Sequence, residues 1–182
     1  MIFEASPLPG AFVVELERRG DERGFFSRAW CRREFEEIGL NIELAQCNIS
    51  YNQRRGTLRG MHWQAEPYAE AKLVRCTSGA IWDVIIDLRA DSDTYLRHFG
   101  LELSRANGRA LYVPEGMAHG FVTLEDDCDV FYQMSEFYEP NAARGARWND
   151  QAFGIRWPVD DPILHPRDAS YPDFLPSVAL NV

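Results

Sequence analysis

The sequence predicts an all-β fold whose sheets close into a jelly-roll barrel, and three observations point there. The chain breaks into many short runs rich in β-branched and aromatic residues, separated by Gly, Pro, Asn and Asp. Several runs carry the period-two pattern of strands. Helical periodicity is scarce, and a chain of 182 residues without repeats, low-complexity tracts or a linker fits one domain, 1–182. Barrels of this kind enclose a ligand cavity between two sheets.

Taken in order, Phe12 to Leu16 reads as the first strand. Cys31 to Ile38 is the best helical candidate, with Gly39 as its C-terminal cap. Ala45 to Tyr51 is a strand in which Gln46, Asn48 and Ser50 share one face. Leu73 to Thr77 and Ala80 to Leu88 flank Ser78-Gly79, which reads as a hairpin turn. In the second of these runs Ala80, Trp82, Val84, Ile86 and Leu88 line one face, with Asp83 and Asp87 on the other. Gly100 to Ser104, Ala110 to Val113, Gly120 to Leu124 and Val130 to Phe137 continue the series. A turn of helix is expected near Asn141 to Arg144, and the proline-rich stretch from Trp157 to Val182 is expected to wrap irregularly around a finished body.

Bulk properties narrow the function. Net charge is −9, so nucleic acid is a poor partner, because phosphate contacts need clustered Lys and Arg. A small anion remains acceptable wherever a few Arg residues converge. Cys31, Cys47, Cys76 and Cys128 form no CxxC pair and read as reduced thiols packed as small hydrophobes. Neither a signal peptide nor an apolar run of membrane-spanning length is seen, which makes the cytoplasm the expected compartment.

Four segments carry chemistry-bearing side chains. In Arg59-Gly60-Met61-His62-Trp63-Gln64, Arg59 offers a bidentate anion fork and His62 an imidazole. Strict alternation puts these two on opposite faces, so serving one pocket requires a bulge near Gly60. In Glu70-Ala71-Lys72-Leu73-Val74-Arg75, Lys72 enters an apolar strand, either snorkelling outward or aiming its ammonium at a developing oxyanion. Pro114 to Phe121 forms a turn followed by a strand that opens on His119. Tyr132 shares a face with Val130 and Met134 and, taken alone, reads as a core aromatic. The four histidines never fall at metal-ligand spacing, and Gln64 stands where a His-x-His pair needs its second imidazole, so no metal is expected. There is no GxSxG, no Walker A loop and no GxGxxG.

Taken together, Asp21 to Phe26, Gln46 to Ser50, Gly56 to Gln64, Lys72 to Arg75, Pro114 to Phe121 and Trp148 to Asp150 resemble, in one order, the dTDP-4-dehydrorhamnose 3,5-epimerases and related dTDP-sugar epimerases. The resemblance runs from about Gly10 to Asp173. It implies a cupin-like double-stranded β-helix subunit in a homodimer, acting without a cofactor on a nucleoside-diphosphate 4-keto-6-deoxyhexose. By motif match it implies His62 as proton acceptor, Asp168 as its carboxylate partner, Tyr132 as proton donor and Lys72 at the enolate oxygen. Arg23, Gln46, Asn48, Arg59, His119 and Arg167 fall at nucleotide or pyrophosphate positions. Phe26 and Tyr138 fall beside the base, the latter supplied in the family across the dimer interface.

The chemistry of the residues agrees with that likeness. Removing a proton beside a ketone needs a stabilised enolate, and inverting the carbon needs a base on one ring face and an acid on the other. Two positions depart from the family pattern: Arg28 and Ala143 stand where glutamates are usual. Arg28 cannot accept the thymine N–H, which opens the possibility of a base that presents acceptors, such as cytosine. Inversion at C3, at C5 or at both remains open, as do wall-polysaccharide and antibiotic sugars. The rival readings are a sugar-nucleotide 3,4-ketoisomerase, a non-catalytic sugar-nucleotide-binding barrel, and a metal-dependent cupin, which fails on missing ligands.

Overall fold

The computed structural model describes residues 1–41 and 43–176. Its strands are β1 (Ile2–Ala5), β2 (Phe12–Glu15), β3 (Arg19–Asp21), β4 (Gly24–Phe26), β5 (Gln46–Asn52), β6 (Leu58–Gln64), β7 (Lys72–Ser78), β8 (Ala80–Asp87), β9 (His98–Ser104), β10 (Ala110–Val113), β11 (Met117–Thr123), β12 (Cys128–Met134) and β13 (Ala143–Gly145). Two short helices, α1 (Arg32–Glu37) and α2 (Pro166–Ala169), complete the set. One sheet has the order β1-β2-β10-β7-β12-β5 and the other β13-β6-β11-β8-β9, while β3 and β4 form a separate two-stranded ribbon. All pairings between these strands are antiparallel. This is the expected jelly roll of the cupin-like kind.

The inner faces of the two sheets meet in one apolar cluster. Val13, Val74, Cys76, Leu111 and Val130 come from the first sheet, and Ile81, Ile85, Leu103 and Phe121 from the second. Burying each such side chain contributes about 1.5–3 kcal/mol before conformational entropy is counted. The outer face of the first sheet is covered in part by α1, whose Phe35 packs on Val14, Leu73 and Tyr112 and meets Phe3 edge-to-face at 5.1 Å. Gly39 follows α1 at φ 74°, the left-handed stop expected there. The outer face of β8 is covered as well: Val84 and Ile86 pack with Ala146, Phe153 and Trp157. Both faces of β8 are therefore buried, including Asp83 and Asp87. Asp87 is satisfied by Arg89, Ser92 and Thr94.

Three local expectations are overturned. Ser78-Gly79 is not a hairpin turn, because β7 and β8 belong to different sheets. Gly79, at φ 73°, instead turns the chain across the barrel, and a Cβ there would lie 2.5 Å from Cys128 Sγ. Asn141 to Arg144 does not become helical: β13 begins at Ala143 and pairs with β6, so ladder bonding overrides the local preference. The stretch from Trp157 is irregular only in part. It bridges to Thr57 at Ile163 and then forms α2, with Pro166 at its first positions and His165 as N-cap. Residues 177–182 of that stretch lie outside the described residues. Strand β1 and the β3–β4 ribbon were not anticipated, being short and mostly exposed.

The alternation conflict in β6 is resolved by a bulge. His119 pairs with His62 while Phe121 pairs with Arg59, so three steps along β6 match two along β11. Gly60 sits in the bulge at φ 123°. Its absent side chain lets Gly120 approach: a Cβ on Gly60 would be 2.6 Å from Gly120 Cα, and one on Gly120 would be 2.7 Å from Met61 Sδ and 2.9 Å from the Arg59 carbonyl. Gly120→Ala is therefore expected to lower stability by about 2 kcal/mol, or roughly 4–8 °C in Tm, by forcing β6 and β11 apart. A thermal melt unchanged to within a degree would contradict this account of the bulge.

Candidate active site

An open cavity of about 810 Å³ lies between the sheets, lined from one side by β6 and β11 and from the other by β5, β7 and β12. The β6 bulge turns both Arg59 and His62 toward it. His62 Nε2 lies 2.8 Å from Asp168 Oδ1, and the Gly60 N–H donates to Asp168 Oδ2 at 3.4 Å. An ionised carboxylate only accepts, so Nε2 carries the hydrogen and Nδ1 is left with a free lone pair. Asp168 is almost wholly buried while His62 is partly open to solvent. Burial works to raise the Asp168 pKa, but the His62 hydrogen bond, the charge His62 carries when protonated and the Gly60 N–H outweigh it and hold the carboxyl below its usual range. Tyr171 backs the pair: its ring lies edge-to-face with His62 at 6.3 Å and fills the space that a side chain on Gly145 would need.

Across the cavity, Tyr132 projects from β12 against the barrel core. Burial raises its pKa while the Arg59 charge pulls the other way, so the phenol keeps its proton near neutrality. Lys72 enters from β7, nearly excluded from water, and its Nζ pairs with Glu70 Oε1 at 2.7 Å. His119 Nε2 lies 2.8 Å from the buried Asp83 Oδ1. Arg59 donates to the neutral acceptors Asn52 Oδ1 at 2.7 Å and the Tyr51 carbonyl at 3.4 Å. Gln46 and Asn48 line the cavity with Ser50, as the period of β5 requires. Gln46 Oε1 also accepts from the Tyr138 N–H at 2.9 Å. Gln64 is spent on structure, binding the carbonyls of Tyr68 and Phe137 and the N–H of Glu139. No group of three or more His, Cys, Asp or Glu side chains is arranged to hold a metal ion among the described residues.

The cavity thus gathers His62, Asp168, Tyr132, Lys72, Gln46, Asn48, Arg59, His119, Tyr138 and Arg167. Tyr138 reaches it from the same chain rather than only across an interface. Arg23, Phe26 and Arg28 are not brought there. Arg23 and Phe26 sit on the exposed β3–β4 ribbon, Phe26 being 74% exposed, and Arg23 pairs with Asp21 at 2.6 Å. Arg28 pairs with Glu34 at 2.5 Å and does not line its own chain's cavity. Glu70, Asp83 and Tyr171 escaped the sequence reading. Glu70 was visible in principle, two residues before Lys72 and hence on the same face of an extended chain; the other two reach the site only through tertiary packing.

A cupin-like barrel that aims a carboxylate-backed imidazole and a protonated phenol into one cavity is built for proton transfer at carbon, the work of an isomerase of the racemase and epimerase type. The comparisons narrow the class: residues 5–175 match the family model described as dTDP-4-dehydrorhamnose 3,5-epimerase, and the chain belongs to that family. It is 41% identical over 169 residues to the dTDP-4-dehydrorhamnose 3,5-epimerase of Shigella flexneri, covering 92% of this chain and 93% of that protein. The crystal structure of the Bacillus anthracis 3,5-epimerase with TDP and PPi bound superposes with a TM-score of 0.92 at 39% identity, covering 95% of this chain and 99% of that one. ChmJ, a 3′-monoepimerase from Streptomyces bikiniensis in complex with dTDP-quinovose, gives a TM-score of 0.86 at 30% identity, covering 92% and 85%. No helix among the described residues is long and apolar enough to cross a membrane.

The depressed Asp168 pKa links stability to pH. The folded carboxyl titrates below its unfolded value of about 3.9, so its contribution is complete above that pH and lost as pH falls through the folded value. The stability gap between the wild type and Asp168→Asn should narrow as pH falls below about 4. Urea melts at stepped pH read this directly, and a gap independent of pH would contradict it.

Proposed function

We propose that this enzyme inverts C3, C5 or both of a nucleoside-diphosphate 4-keto-6-deoxyhexose of the dTDP-4-dehydro-6-deoxyglucose type. The observation that carries the proposal is the entry of His62 and Tyr132 into one cavity from opposing sheets. His62 Nδ1 takes the proton beside the ketone, and Asp168 stabilises the imidazolium that forms. The electron pair moves onto the ketone oxygen, where the Lys72 ammonium meets the enolate charge. Tyr132 then protonates the carbon from the other ring face, and Arg59 stabilises the phenolate left behind. No redox step occurs, so no cofactor is required.

Arg59 and Arg167, with Gln46, Asn48, His119 and Tyr138, hold the nucleotide and its pyrophosphate. Guanidiniums suit that task because they present planar, permanently charged forks. The TDP and dTDP-quinovose bound to the related structures favour dTDP as the carrier. The enzyme works in the cytoplasm, in keeping with four free cysteines, and as a homodimer. Arg23 and Phe26 lie off their own chain's cavity, so a second copy is what would bring them to a nucleotide. Ile49 and Tyr51 also leave an apolar face exposed on β5, an edge strand.

The test is incubation with dTDP-4-keto-6-deoxyglucose in deuterated water, read by NMR. Deuterium with inverted configuration at C3, C5 or both is expected; absence of deuterium, or a carbonyl moved to C3, would overturn the proposal. His62→Ala should slow deuterium uptake by about 10³-fold, whereas Tyr132→Phe should retain uptake and lose inversion. Sedimentation equilibrium at micromolar concentration should give twice the chain mass of 20.9 kDa, and a monomer would refute the dimer.

A further inference from the structure

Three buried carboxylates stand in or behind the cavity wall, each bonded to one basic side chain: Asp168 to His62, Asp83 to His119 and Glu70 to Lys72. The third, like the Asp83 pair, is unfavourable on stability grounds. Glu70 and Lys72 have side chains only 3% and 9% exposed, and the second carboxylate oxygen, Oε2, is buried without a hydrogen bond among the described residues. A buried ion pair gains little over an apolar pair of the same shape, and an orphaned carboxylate oxygen adds a desolvation penalty. The site nevertheless fixes Glu70 firmly. The adjoining Ala71 donates its N–H to Ser135 Oγ at 2.8 Å and accepts from the Ser135 N–H at 3.0 Å, clamping the start of β7 to the end of β12.

We propose that Glu70 is the positioning residue for Lys72: by taking one N–H of the ammonium it seats Nζ in the cavity wall, leaving the other two hydrogens for the ketone oxygen as it becomes an enolate. A four-carbon stem on a strand has many rotamers, and a donor aimed in advance stabilises a developing charge far better than one that must be recruited. Because the enolate exists only after proton abstraction, Glu70 acts on turnover and leaves substrate binding nearly untouched. The inference rests on the epimerase reading above and adds a residue to it.

The experiment is a double-mutant cycle on deuterium uptake with Glu70→Ala and Lys72→Met, each folded by circular dichroism. Lys72→Met should lower kcat by about 100-fold and Glu70→Ala by about 10-fold, with KM within about threefold in both. If Glu70 acts through Lys72, the double variant should match Lys72→Met alone. Glu70→Gln, whose amide oxygen still accepts one N–H, should recover part of the loss, and it replaces Glu70→Ala in the cycle if that variant fails to fold. A second readout is independent of turnover. The buried, hydrogen-bonded Lys72 ammonium should give a slowly exchanging ¹⁵Nζ resonance in the wild type that disappears in Glu70→Ala. The proposal is overturned if Glu70→Ala turns over at the wild-type rate, if the two losses multiply in the double variant, if KM rises while kcat holds, or if the resonance survives. A wild type that takes up no deuterium would instead sink the epimerase reading, while the resonance would still judge Glu70.

Discussion

The approach of two glycines, Gly60 on β6 and Gly120 on β11, is the constraint on which the rest of the site depends. The backbones come so close that neither position has room for a Cβ, and the three-against-two pairing beside them breaks the alternation of β6. Without that break, Arg59 and His62 would face opposite sides of the sheet, one toward the cavity and one toward the outer packing layer. With it, an anion-binding fork and a base reach the same space from residues only three apart. The Gly60 N–H within the bulge also points at Asp168, so the local distortion both aims the imidazole and helps hold its carboxylate.

A protein carrying nine net negative charges has to bind a substrate that is itself an anion. The distribution of charge resolves the conflict. The carboxylates at the site are each tied to a basic side chain, Asp168 to His62, Asp83 to His119 and Glu70 to Lys72. The bonds of Arg59 go to neutral oxygens, which leaves its full charge for an incoming phosphate. The acidic surface elsewhere favours solubility and discourages nucleic acid, while a few converging cations determine what enters.

Much of this was legible before any coordinates. The period of β5 put Gln46, Asn48 and Ser50 on one face, and the misfit between Arg59 and His62 pointed to a bulge at the one glycine able to supply it. What escaped depends on partners far away in the chain. Ser78-Gly79 has the composition of a hairpin, yet whether two adjacent strands share a sheet is settled by their other neighbours, and here β10 and β12 claim β7 while β9 and β11 claim β8. Asn141 to Arg144 has no strand pattern of its own and is recruited by the free edge of β6. Asp83 looked like the polar face of a strand because sequence cannot show that the facing imidazole of His119 waits inside. Arg23 and Phe26 match the family's nucleotide positions, but a single chain leaves them on a ribbon away from its own cavity.

The carboxylate of Asp168 reaches His62 from 106 positions further along the chain, carried on a four-residue helix whose approach is tethered by the bridge between Ile163 and Thr57. The imidazole therefore stays unfinished until that helix docks. A barrel with every strand in place but α2 undocked would still lack the group that orients its base. Arg167 rides on the same helix, so a single docking event both completes the base and delivers a cation to the cavity.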